Sequence, residues 1–125
     1  MKSFSEIDTT VKRASKSIGF EWGIAEELGK NIRLLEMFGL AGLKNLNSYF
    51  KIYNQKQFQK ISLISKINTS RVAYCPIISG TNFLDQVINL EKMDEINFEN
   101  MAYPLLFLPF VSRSTEIVGK RIFLN

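Results

Sequence analysis

Histidine is absent from these 125 residues and cysteine occurs once. The first absence removes the commonest general base and the commonest metal ligand together. The second excludes an internal disulfide framework and, with no imidazole to pair it, a Cys–His nucleophile. One sulfur and no histidine leave zinc without a ligand set, and no spacing of carboxylates argues for magnesium. There is no P-loop and no G-x-S-x-G, so neither a metal nor a cofactor is expected. Long apolar runs are missing too. The longest, Tyr103 to Val111, is nine residues broken by Pro104 and Pro109, against the ~20 that a spanning helix needs. No membrane partner is expected. Met1-Lys2 runs straight into polar residues with no apolar leader segment, and a lone Cys75 suits a reducing compartment. The expected location is the cytoplasm.

What is present suffices for a core. The hydrophobic class makes up 46% of the chain and the charged class 22%, which places it among globular proteins rather than disordered ones. At this length a single domain over residues 1–125 is expected. The net charge of +4 is modest but unevenly distributed. No acidic residue lies between Glu36 and Asp85, while Lys44, Lys51, Lys56, Lys60, Lys66 and Arg71 fall there. Beyond it Asp85, Glu91, Asp94, Glu95 and Glu99 face only Lys92. We read this first as two faces attracted to each other within the fold, and second as a surface for a charged partner.

Periodicity predicts the elements. Ser5, with Asp8 three residues on, suits a capping box, and Ile7, Val11, Ala14 and Ile18 then form a narrow apolar stripe closed by Gly19. A longer helix is predicted over about 21–38, ended by Gly39. Its residues Ile24, Ala25, Leu28, Ile32, Leu35 and Phe38 fill an arc broad enough to need several neighbours, which makes it the central helix. Gly23 and Gly29 inside it each cost ~1 kcal/mol relative to alanine, a cost that close approach of another element or a ligand would explain. Leu43, Leu46, Phe50 and Tyr53 predict a third helix. Ile61 to Ile67 alternates like a short strand, and Asn68-Thr69-Ser70 reads as a turn. Pro76 pushes Cys75 to an extended conformation. Ser79-Gly80-Thr81 reads as a turn opening a helix that carries Phe83, Leu84, Val87 and Ile88 on one side. Pro104 suits a first helical position, Pro109 requires a kink or a late start, and the last helix is firmest over 110–118, with Gly119 stopping it. Ile122 and Leu124 alternate with Arg121 and Phe123 as a strand would. The fold class is therefore α+β, predominantly helical, with helices packed around the central one and a small strand element.

Lys12-Arg13-Ala14, Gly19, Trp22-Gly23, Ala25-Glu26-Glu27 and Gly29 together resemble the opening of an uncharacterised bacterial family with a K-R-A-x(4)-G-x-x-W-G-x-A-E-E-x-G pattern. The likeness continues in Gly39-Leu40-Ala41-Gly42-Leu43, in Cys75-Pro76-Ile77 with Gly80 and Asp85, and in Pro104 to Phe110. It implies a bacterial domain of unknown function and brings no activity with it. It also implies members that run past the position of Asn125 into further strands, which would leave Ile122 to Leu124 without a neighbour.

Several residues carry a functional reading beside a structural one. Glu26 or Glu27, near Trp22 and Gly23, could serve as an acid or base if desolvated; the structural reading is a surface ion pair from Glu26 to Lys30. Trp22 is read as packing before it is read as a substrate platform. Cys75 sits ahead of a helix start, where a thiolate is stabilised, yet a free cysteine commonly behaves as a small hydrophobe. Asp85 could orient Ser79 or Thr81, and Ser79-Gly80-Thr81 could cradle an anion or simply cap the helix. The basic middle interleaves with Tyr49, Phe50, Tyr53 and Phe58 as a nucleic-acid surface would, but no recognition motif accompanies it, and nucleic acid is disfavoured. No reaction is assigned by these residues. The leading expectation is a non-catalytic binding or accessory protein that forms a homo-oligomer, since an unpaired terminal strand invites another chain. The alternative is a small enzyme or small-molecule binder with a pocket near Trp22, Gly23, Glu26, Cys75 and Asp85. The partner, protein or small molecule, is unidentified.

Overall fold

The computed structural model describes residues 3–119 and 122. The chain is predominantly helical α+β and divides into two compact units, residues 1–56 and 57–125.

The first unit holds α1 (Phe4–Ile18), α2 (Trp22–Met37) and α3 (Gly42–Tyr53). Helix α1 begins one residue pair earlier than its expected cap. Ser3, not Ser5, accepts from the Glu6 N–H at 3.2 Å, so Ser3 is the N-cap in use. Asp8 pairs with Lys12 one turn on, at 3.5 Å. Gly19 closes the helix with φ +115°, and the Phe20 N–H reaches back to the Ser15 carbonyl at 3.1 Å. The same left-handed closure ends α2: Gly39 has φ +73° and the Leu40 N–H bonds the Leu35 carbonyl at 2.9 Å.

Helix α2 packs along α1 and α3. Ala25, Leu28, Ile32 and Leu35 are buried as their spacing predicts, with Ile7 and Val11 from α1 and Leu46 from α3. Gly29 permits the close approach of α1. A methyl group there would run into the Asp8 carboxylate, meet the Asp8 carbonyl oxygen at 2.9 Å and crowd Lys12. Gly23 has no such neighbour within 4 Å, so close approach explains one of the two helix glycines and not the other. The arc fails at its end. Phe38 is 75% exposed, at the C-cap just past the last residue of the helix. On α3 the residue that goes inside is Tyr49, while Phe50 and Tyr53 are half-buried around Phe20, with ring centroids 6.0 and 5.1 Å from it.

The second unit holds β1 (Ile67–Asn68), α4 (Pro76–Leu90), β2 (Asn97–Phe98), a 3₁₀ turn over Pro104–Leu106, and α5 (Leu108–Val118). The strands pair in parallel, Ile67 with Asn97 and Asn68 with Phe98. Parallel pairing requires a crossover, and α4 lies in that connection. Single-residue parallel bridges join Tyr74 to Gln59 and to Met101.

The strand expected over 61–67 is reduced to its last residue, for a definable reason. Two amides of α4 capture the backbone of that segment. Asn82 Nδ2 donates to the Ile61 carbonyl at 2.5 Å, Gln86 Nε2 to the Ser62 carbonyl at 2.6 Å, and Gln86 Oε1 accepts from the Ile64 N–H at 2.9 Å. Backbone groups so satisfied have no need of a ladder. Asn68 belongs to β1, not to a turn: it is buried and bonds the Ser65 and Asn97 carbonyls at 2.8 and 2.9 Å.

Helix α4 starts at Pro76 rather than after Ser79-Gly80-Thr81, since proline at the first position needs no N–H partner and is preset for the helix. Cys75 is extended, at φ −67° and ψ 118°, as expected before proline. Ile64, Phe83, Leu90 and Val111 form the core here, with Ile61, Ile96, Phe98, Phe107 and Ile122 against them. Gly80 faces the Phe110 ring so closely that a methyl group has no room. Pro109 is accommodated in the first turn of α5, and Gly119 ends that helix with φ +64°. Of the expected terminal strand, Arg121, Phe123 and Leu124 lie outside the described residues, and Ile122, which is described, is half-buried and belongs to no strand.

Candidate functional site

The five residues singled out by sequence fall in both units. Trp22, Gly23 and Glu26 occupy the first turns of α2; Cys75 precedes α4, and Asp85 lies on its outer face. Trp22 is 56% exposed and does not pack as its type suggests. Glu26 is half-buried, and the ion pair expected with Lys30 is not formed among the described residues, where Asp8 and Lys12 make the i,i+4 pair on α1. Cys75 is completely buried at the N-cap of α4, so water and solutes do not reach its sulfur. Asp85 is exposed, and Thr81 bonds the Ile77 carbonyl at 2.8 Å rather than Asp85. Ser79-Gly80-Thr81 cannot cradle an anion, because it lies inside α4, where the Ser79 N–H is already bonded to the Cys75 carbonyl at 3.0 Å.

Sequence reasoning missed one polar residue. Asn31 on α2 is 1% exposed, and neither its amide nitrogen nor its oxygen has a hydrogen-bond partner among the described residues. An unbonded buried amide costs ~1–3 kcal/mol. The signal was present, since Asn31 lies three residues after Leu28 and four before Leu35, on the buried arc. Ser79 is likewise buried, with its hydroxyl unbonded among the described residues.

The charged side chains of both stretches lie mostly at the surface. Asp85, Asp94, Glu95 and Glu99 are exposed and form no ion pair among the described residues. Lys44, Lys51, Lys56, Lys60, Lys66 and Arg71 are exposed as well. The aromatics interleaved with them turn inward: Tyr49 is buried, and Phe50 and Tyr53 pack on Phe20. Partial burial pulls the Arg113 guanidinium below its ordinary pKa while Glu116 opposes the shift; arginine still remains a cation at neutral pH. Among the described residues no three His, Cys, Asp or Glu side chains are grouped to hold a metal, and no helix is long and apolar enough to cross a membrane.

The conspicuous surface feature is apolar. Met37, the last residue of α2, and Phe38 and Leu40, in the turn to α3, are all exposed, Met37 by 56%. A left-handed Gly39 holds that turn, so the exposure follows from a well-formed helix ending.

One family of sequences, described as a protein of unknown function (DUF3726), matches residues 2–75. The match takes in the first unit and continues to the N-cap of α4. No curated protein and no solved structure matches. The chain belongs to this family of proteins of unknown function.

Proposed function

We propose that this family member is a non-catalytic binding or accessory protein of the bacterial cytoplasm, which works through its helical faces and associates with further copies of itself. The apolar turn Met37-Phe38-Gly39-Leu40 carries this reading. Three large side chains in sequence stand in water, and apolar surface of this kind is stabilised by being covered. The complete burial of Cys75 supports the reading, because it withdraws the one thiol from chemistry with solutes. Light scattering on the whole chain at high micromolar concentration tests it. The expected mass exceeds that of one 14.4 kDa chain and falls on dilution; a single-chain mass throughout contradicts it.

A second reading, a small enzyme or small-molecule binder using Trp22, Gly23 and Glu26 of the first unit, draws on one observation. Asn31, on the same helix as these three, presents a buried amide with no bond among the described residues, as a group awaiting a polar ligand would. A thermal-shift screen against metabolites and nucleotides tests this. A saturable rise in Tm that is lost in Asn31→Leu supports it, and no shift from any compound removes it.

A further inference from the structure

We infer that the partner of the apolar turn is the acidic end of α4 in a second copy of this chain. This rests on the self-association proposed above and names the two surfaces that meet. The first surface starts at Met37, Phe38 and Leu40 and continues along α3, whose outward positions Lys44, Asn47 and Lys51 recur at three- and four-residue spacing on one face. Helix α3 contains no acidic residue. An apolar turn therefore leads directly into a cationic stripe.

The second surface has the same design with the opposite sign. Asp85 and Ile88 face outward on the last turns of α4, Ile88 with 66% exposure, and the chain continues through exposed Met93, Asp94 and Glu95. Lys92 is the one cation in that stretch. Asp85, Asp94 and Glu95 form no ion pair among the described residues.

Charge decides what covers each surface. A polyanion such as nucleic acid, or an anionic lipid surface, would satisfy Lys44 and Lys51 but would be repelled by the acidic surface. A cationic partner would satisfy only the latter. A second copy supplies both counterparts, each apolar centre meeting another and each charged flank its opposite. The contact joins different surfaces of two identical chains, so it closes a ring or a pair only if the geometry returns to the start; the measured mass reads which.

A charge exchange tests the inference on the full chain. Wild type, Lys44→Glu/Lys51→Glu and Asp94→Lys/Glu95→Lys are compared by sedimentation velocity, with circular dichroism melts to verify folding. Wild type should associate, and more weakly as salt rises. Each variant alone brings like charges together, and its dissociation constant should rise on the order of tenfold or more. An equimolar mixture of the two variants should recover association, because each then presents the sign the other needs. If both variants associate as wild type does, or if the mixture stays apart, these surfaces are not the contact, although self-association itself stands. If wild type is a single chain at every concentration, the underlying reading fails with it.

Discussion

Residues 1–56 and 57–125 satisfy the backbone outside their helices by different means. In the first unit the bonds are local: a serine cap on the first of three helices, and left-handed glycines closing α1 and α2. In the second, side-chain amides reach across 21 to 24 residues to bind the 61–64 segment, and Asn68 reaches 29 residues to the Asn97 carbonyl. Helical order can be written into neighbouring residues, whereas order of the second kind exists only once distant parts have met.

Substitutions that separate the two cases differ in size. The largest effect is expected where the second unit depends on one buried ring. Phe110 is almost fully enclosed and lies against Gly80, so Phe110→Ala should cost about 3–5 kcal/mol in urea-induced unfolding. A loss below about 1 kcal/mol would mean that the contact with α4 contributes little.

The first unit offers a sharper contrast, two glycines in one helix. Alanine at an exposed helical position normally gains ~1 kcal/mol over glycine. Gly23→Ala, in the first turn with open space around it, should gain a fraction of that, whereas Gly29→Ala should lose about 1–3 kcal/mol by pushing α1 away through the Asp8 carbonyl. Equal behaviour of the two would refute the close packing of α1 on α2.

The smallest effect tests the long-range amides. Gln86→Ala leaves the Ile64 N–H and the Ser62 carbonyl without their side-chain partner, at a cost of about 1 kcal/mol. Hydrogen exchange at Ile64 should quicken while exchange within α1 stays as it was.

The same division governs what could be read in advance. Ile7, Val11, Leu28, Ile32 and Leu35 were legible as core because helical burial repeats every three to four residues, and Gly19 and Gly39 were legible as helix ends because few other residues adopt a left-handed conformation cheaply. Phe38 was misplaced by extending that period one residue beyond the helix. Ile61 to Ile67 was read as a strand because alternation says nothing about Asn82 and Gln86, which compete for the same backbone groups. The start of α4 was written in Pro76 but attributed to Ser79-Gly80-Thr81. Of the candidate site, burial of Cys75 was legible from residue type; exposure of Trp22 was not, since residue type favours packing. The turn that carries the proposed function was visible only as Gly39 ending a helix, because exposure depends on what fails to pack against Met37, Phe38 and Leu40.

The most direct measurement is the self-association constant of Phe38→Glu against wild type by sedimentation equilibrium, with Trp22→Ala as a second exposed aromatic. Covering a phenylalanine side chain contributes ~1.5–3 kcal/mol, so Phe38→Glu should weaken association by roughly ten- to a hundredfold with its melting temperature unchanged. Trp22→Ala should leave the constant where it was. Association of Phe38→Glu at the wild-type strength, or a loss confined to Trp22→Ala, would contradict the account.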